Sequence, residues 1–136
     1  MGKKGKNSSN GGGAKVEKIQ AVVLADSFTE TCRPISLEMP KVLFPLCNTP
    51  MLSYVLEFLE SAKVDEVLVF CSSFAEKVKE FLDNSRWSSN SGEGGQSRMI
   101  VRTIASSRTS NAGDALRELD NQDLVTSEPF VLISGD

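Results

Sequence analysis

Hydrophobic residues fall along this chain in short blocks, and the spacing within each block predicts an element. Ile19 to Ala25 is a compact apolar run rich in Val, the pattern of a strand covered on both faces in a parallel sheet. Leu52, Val55, Leu56, Leu59 and Ala62 then recur at helical spacing and set one apolar stripe against that sheet. Thr49 stands where a helix cap is expected, with Pro50 in a first turn that has no N–H bond to lose. Glu66 to Cys71, EVLVFC, predicts a second strand. Ser73, with Glu76 three residues on, forms a capping box for a second helix whose buried face is Phe74, Val78, Phe81 and Leu82. Met99 to Ala105 alternates apolar and polar residues and predicts a third strand. Asn111 to Leu119 then predicts a short helix and Phe130 to Ile133 a fourth strand. Strands alternating with helices are the rhythm of the α/β class: a Rossmann-like, mostly parallel sheet with helices on both faces.

The interruptions in this pattern are as informative. Asp26 to Thr31 is small and polar, and Pro34, Pro40, Pro45 and Pro50 follow, which forbids a continuous helix or a central strand there. A loop at the carboxyl end of a first strand is where open α/β sheets bind ligands. Residues 83–97, DNSRWSSNSGEGGQS, predict a mobile loop. Its Gly92, Gly94 and Gly95 read as flexibility rather than a phosphate cradle, because no strand immediately precedes them and no helix follows. Trp87 is expected to lay its ring on the second helix. Residues 1–17 contain no large apolar side chain between Met1 and Val16, so they predict a disordered Gly/Ser/Lys tail ahead of a single unit over 18–136.

Composition narrows the function classes. The chain has 136 residues, 40% hydrophobic and 24% charged, with a formal charge of -3, and a pI near 5.1 argues against a phosphate-tracking nucleic-acid surface. No direct nucleic-acid partner is expected. No histidine is present, which excludes Ser-His-Asp and Cys-His catalysis by this chain alone. Cys32, Cys47 and Cys71 are odd in number and form no C-x-x-C pair, so free thiols in a reducing cytosol fit better than a metal site or disulfides. No apolar stretch is long enough to span a membrane, and no secretory h-region is present.

Leu24 to Pro34, with Pro40, Lys41 and Pro45 behind it, resembles the LAGGxGTRLxP signature of the sugar-phosphate nucleotidyltransferases. The frame is kept and the chemistry is not. Asp26 and Ser27 stand for the paired glycines, Thr29 for the third glycine and Thr31 for the arginine. Bare backbone lets N–H groups approach a triphosphate, and an arginine neutralises charge on departing pyrophosphate. A carboxylate in that place repels phosphate oxygens by roughly 4 kcal/mol at ~4 Å. By the same resemblance Gly113 corresponds to a residue contacting the nucleotide base, and otherwise reads as a backbone hinge at a helix start. Asp136 corresponds to the acid that holds magnesium. Lys41 reads either as a phosphate contact or as a surface lysine after a turn. The three are expected to be vestigial binding residues, with no catalytic residue, no metal and no cofactor.

The ADSF sequence, PIS, P-x-V-L-x-P-L-x-N and L-x-Y-x-LEFL, followed by Phe70-Cys71, Lys79-Glu80, Trp87, Gly113-Asp114, Leu116-Arg117 and Gly135-Asp136, resemble the amino-terminal part of the epsilon subunits of eukaryotic translation initiation factor 2B. That resemblance runs from about Lys18 to the last residue. It implies an incomplete, truncated nucleotidyltransferase-like domain that does no catalysis and serves as a cytosolic scaffold. The implied partners are the other subunits of the exchange-factor complex, above all a gamma-like subunit, and initiation factor 2 through the full complex. GDP/GTP exchange is implied to lie in a carboxyl-terminal region outside these residues. The alternative is a divergent sugar-phosphate nucleotidyltransferase supported by Lys41 and Asp136. A domain cut at this point is expected to expose a sheet edge and apolar surface.

Overall fold

A computed structural model describes residues 18–26, 32–88 and 98–135. In chain order the elements are β1 (Gln20–Leu24), β2 (Pro45–Leu46), β3 (Thr49–Pro50), α1 (Met51–Ser61), β4 (Glu66–Cys71), α2 (Ala75–Asp83), β5 (Ile100–Ala105), α3 (Ala112–Asn121) and β6 (Val131–Ser134). Short 3-10 turns at Ile35–Leu37 and Lys41–Leu43 lie between β1 and β2. The expected tail, residues 1–17, lies outside the described residues, as do 27–31, 89–97 and Asp136.

Four strands pair in the order β5-β4-β1-β6, and every pairing is parallel, with Val22 opposite both Leu68 and Leu132. The apolar run at the start of the chain therefore takes a central place, and all five residues of β1 are buried. Alternation along β1 and β4 divides the core between two faces. Ala21, Val23, Val67 and Val69 pack with Leu52, Leu56 and Leu59 of α1 and Val78 and Leu82 of α2. Val22, Leu24, Leu68 and Phe70 meet Ala115 and Leu119 of α3. Each such large side chain removed from water contributes roughly 1.5–3 kcal/mol. The α/β class with helices on both faces is what the hydrophobic spacing predicts.

Trp87 is buried, and together with Lys79 and Leu82 of α2 it lines a groove. Its ring nitrogen donates to Glu60 of α1 at 3.3 Å, while Arg86 lies 4.5 Å over the ring and pairs with Glu60 at 3.0 Å. Trp87 thus joins α2 to α1 rather than serving α2 alone. At the outer edge β6 pairs with β1, and Phe130, Val131 and Leu132 are exposed.

Local signals at the helix starts are overruled. Thr49 does not cap α1: it pairs with Leu46 in the two-stranded ribbon β2–β3, and Pro50 is the cap residue with no side-chain bond. Cys47 and Asn48 turn this ribbon with φ of 51 and 65, the positive-φ pair that suits a tight hairpin. Pro45 faces Pro50 across it, where a missing donor costs little in so short a ribbon. Ala62 falls beyond the end of α1 and is exposed. Ser73 does not cap α2 either. The cap residue is Phe74, in a left-handed conformation with φ 54 and no side-chain bond, because the Ser73 N–H is taken by another residue.

The amino end of the sheet is closed by Gln20, only 3% exposed. Its amide nitrogen donates to Glu66 at 2.8 Å and to the Leu124 carbonyl at 3.2 Å. Its amide oxygen accepts from the backbone N–H groups of Thr126 at 2.7 Å and Ser127 at 2.9 Å. One neutral side chain on β1 therefore fixes the segment leading into β6.

Candidate functional site at the carboxyl end of the sheet

Chain order sends β4 and β5 to one side of β1 and β6 to the other, so the sheet reverses direction at β1, where α/β folds gather their ligands. Pairing continues beyond the strand ends. Ala25 N–H donates to the Phe70 carbonyl at 2.8 Å, Ser106 N–H to Cys71 at 3.0 Å and Gly135 N–H to Leu24 at 2.8 Å. These bonds carry the pairing one residue past the ends of β1, β5 and β6.

Among the described residues, side chains close on one another between the carboxyl ends of β1 and β6. Val42, fully buried, reaches into that end of the sheet, and a Cβ on Gly135 would collide with its methyl group and come within 2.8 Å of the Leu24 carbonyl. Glycine is required at 135 by this close approach. The same contact anchors the Lys41–Leu43 turn, and so sets Lys41 on the rim.

A cavity of about 290 Å³ opens beside it, over β1 and β4. Asp26, Lys41, Ser72, Ser73 and Thr109 all line it. Ser72 and Ser73 each donate a backbone N–H to the Asp26 carboxylate, the latter at 3.0 Å. The acid is therefore not merely presented to the cavity; it is a ligand of the turn after β4. Among the described residues the Thr109 hydroxyl oxygen is buried with no hydrogen-bond partner.

Cys71 lies next to this turn. Burial, and then the Asp26 carboxylate, push its thiol up to about 12, because both oppose a second negative charge there. It is an inert thiol at neutral pH. Cys32 and Cys47 are exposed free thiols.

The residues singled out in the sequence divide three ways. Asp26 and Lys41 share the cavity. Ser27, Thr29, Thr31 and Asp136 lie outside the described residues. Gly113 sits within the first turn of α3, not at a hinge: Asn111 caps that helix by accepting from Asp114 N–H at 2.8 Å, and no glycine among the described residues has a positive φ. Ser72 and Thr109 carry no sequence signal of their own, and the signal at Ser73 pointed to a helix cap rather than to this cavity. The one clue available was a strand end rich in small hydroxyl residues facing an isolated acid.

No group of three or more His, Cys, Asp or Glu side chains that could hold a metal ion occurs among the described residues. No helix is long and apolar enough to cross a membrane, again among the described residues. A larger groove of about 470 Å³ lies between α2 and β5, but it contains none of the site residues expected from sequence.

No protein-family model matches the chain. It is 44% identical over 132 residues to the translation initiation factor eIF2B subunit epsilon of Schizosaccharomyces pombe, covering 94% of this chain and 19% of that protein. To the eIF2B subunit epsilon of Dictyostelium discoideum it is 39% identical over 142 residues, covering 100% of this chain and 19% of that one. The chain thus spans about a fifth of the length of these curated relatives. Among solved structures, a UDP-glucose pyrophosphorylase complexed with UDP-glucose superposes with a TM-score of 0.67 at 17% identity, over 87% of this chain and 45% of that one. The last likeness shows a shared nucleotidyltransferase-type fold.

Proposed function

We propose that this chain, a relative of the eIF2B epsilon subunits along nearly all its length, works as a non-catalytic, nucleotidyltransferase-like scaffold in a translation initiation factor complex. The observation that carries the non-catalytic part is the pair of backbone N–H groups at Ser72 and Ser73, which an internal carboxylate already engages. Catalysis of nucleotidyl transfer depends on donors aimed at charge that develops on phosphate. In this chain donors of that kind are turned toward Asp26. Among the described residues the acid that lines the cavity is bound to amides, whereas Mg²⁺ relies on carboxylates together with substrate phosphates.

In this reading residues 1–17 are a separate tail and 18–136 the nucleotidyltransferase-like unit. The unit assembles in the cytosol with the other subunits, above all a gamma-like one, and reaches initiation factor 2 only through the complex. Exchange of GDP for GTP is then work done outside these residues. Co-expression with the gamma-like subunit should give a complex that survives purification; a gamma-like subunit that elutes alone contradicts the scaffold. Calorimetry with Mg-ATP and Mg-GTP should show no binding heat. Micromolar binding would favour the second reading, a divergent sugar-phosphate nucleotidyltransferase, for which the place of Lys41 on the cavity rim is the supporting observation.

A further inference from the structure

We propose that the open edge of β5, with the groove between it and α2, takes an added strand: an extended peptide of a partner protein that carries a basic, an apolar and a second basic residue at alternate positions. Among the described residues β5 pairs with β4 alone. Ile100 and Ser106 donate their N–H groups to the carbonyls of Asp65 and Cys71. Bonded residues alternate along such a strand, so Val101, Thr103 and Ala105 turn their backbone N–H and C=O groups away from β4. An unpaired row of this kind is a template for a further strand. The same three residues line the groove of about 470 Å³, together with Leu82 and Trp87. Val101 and Thr103 stand opposite Val67 and Val69, which pack toward α2. A strand laid along this edge would therefore set every second side chain over the groove.

Charge on the α2 wall selects the occupant. Glu76, Lys79 and Asp83 are exposed along it, and Arg102, the other cation at the groove, is held by Glu66 at 3.1 Å. Glu76 and Asp83 stand about 10 Å apart along the helix. On an added strand, side chains at i and i+4 are roughly 13 Å apart, a difference that two flexible basic stems can take up. A basic residue at each of those positions meets an acid. The position between them lies by the aliphatic stem of Lys79 and suits an apolar side chain. A second copy of this chain fits worse, because two β5 edges joined antiparallel about Thr103 would repeat the order acid, base, acid on both walls, with like charge toward like. The inference rests on the sheet edge and the groove, and goes beyond the scaffold reading without depending on it.

The test is a titration of the full chain with two synthetic peptides, Thr-Lys-Thr-Val-Thr-Lys-Thr and the same sequence with Glu in place of Lys, followed by amide resonances and hydrogen exchange. The expected result is saturable binding of the Lys peptide, at least about tenfold tighter than the Glu peptide. Exchange should slow at the amides of Val101, Thr103 and Ala105 and stay as it was at Arg102 and Ile104, whose N–H groups are spent on β4. No saturable binding, equal binding of the two peptides, or slowing on β6 instead of β5 overturns the proposal. Thr103→Pro removes the central outward N–H and leaves the bonds to β4, a change that edge strands tolerate, and it should abolish binding; a variant that folds and binds as before counts against the added strand. Should that variant not fold, the double change Glu76→Lys and Asp83→Lys on the exposed wall gives the second measurement. The preference should then reverse toward the Glu peptide, and an unchanged preference refutes the charge match. A chain that dimerises with rising concentration while the same three amides become protected would show a second copy on this edge and refute the foreign strand.

Discussion

The two ends of β1 are closed by one polar side chain each, and they do it in opposite ways. At the amino end Gln20 is neutral, buried and bonded on both amide atoms to Glu66, Leu124, Thr126 and Ser127. At the carboxyl end Asp26 is charged, only half-buried and set against two N–H groups beside an open cavity. A buried group with every bond made stabilises the fold and offers nothing to a ligand. A charge on the rim of a cavity with an unpaired hydroxyl leaves bonding capacity over. The difference separates what fixes the fold from what can act, although both residues come from one seven-residue stretch.

Breaking the amino end should cost most. Gln20→Leu strands the Thr126 and Ser127 N–H groups and the Leu124 carbonyl, for an expected loss of about 3 kcal/mol, read by chemical denaturation. Next comes Gly135→Ala at the carboxyl end. The added Cβ meets the Val42 methyl and the Leu24 carbonyl, and overpacking of this kind costs about 2 kcal/mol. It should also shift the Lys41 resonances, which Gln20→Leu should not.

Cys71 sharpens the contrast through pH. Its thiol sits at about 12 in the folded chain, against an ordinary value of 9.0. Between these values the unfolded chain loses a proton that the folded chain keeps, so the contribution is whole below pH ~9 and is lost as pH rises toward ~12. The expected slope from this residue approaches 1.4 kcal/mol per pH unit. Cys71→Ala should flatten the alkaline limb by that amount, and an identical limb in the variant would show the thiol to be unperturbed. Smallest of all, Lys41→Ala should change stability by less than about 0.5 kcal/mol, because its turn is anchored by Val42; a larger loss in denaturation would mean that the lysine itself bears on the fold.

How much of this could be read beforehand follows from the range of each interaction. EVLVFC announces a strand because all six of its residues satisfy a local rule, and the structure places β4 over those same residues. Asn111 to Leu119 is read as a helix for a similar reason, and Asn111 is its cap. The other two caps fail because distant partners compete for the same groups. Ser73 gives its N–H to Asp26, 47 residues away, and Thr49 is drawn into a ribbon with Leu46. Asp26 itself stood out as an acid in a place of glycines, but sequence pointed only to an effect on phosphate and not to its bonds with Ser72 and Ser73. Its bond to the β4 turn has no counterpart in spacing or composition. Gln20 gave no signal at all: a glutamine at the start of a strand shows its value only when residues more than a hundred positions on fold back beside it.

Val42 deserves a last consequence. A three-residue turn cannot hold its own shape, and this one is staked from beneath by a methyl group wedged against Gly135. The Lys41 side of the rim is thus supported from below by packing, while Asp26 ties the other side to the turn after β4. The ledge below Lys41 keeps its place by packing alone, so a lineage that keeps Val42 and Gly135 holds that side of the opening still whatever becomes of the Asp26 tie across from it.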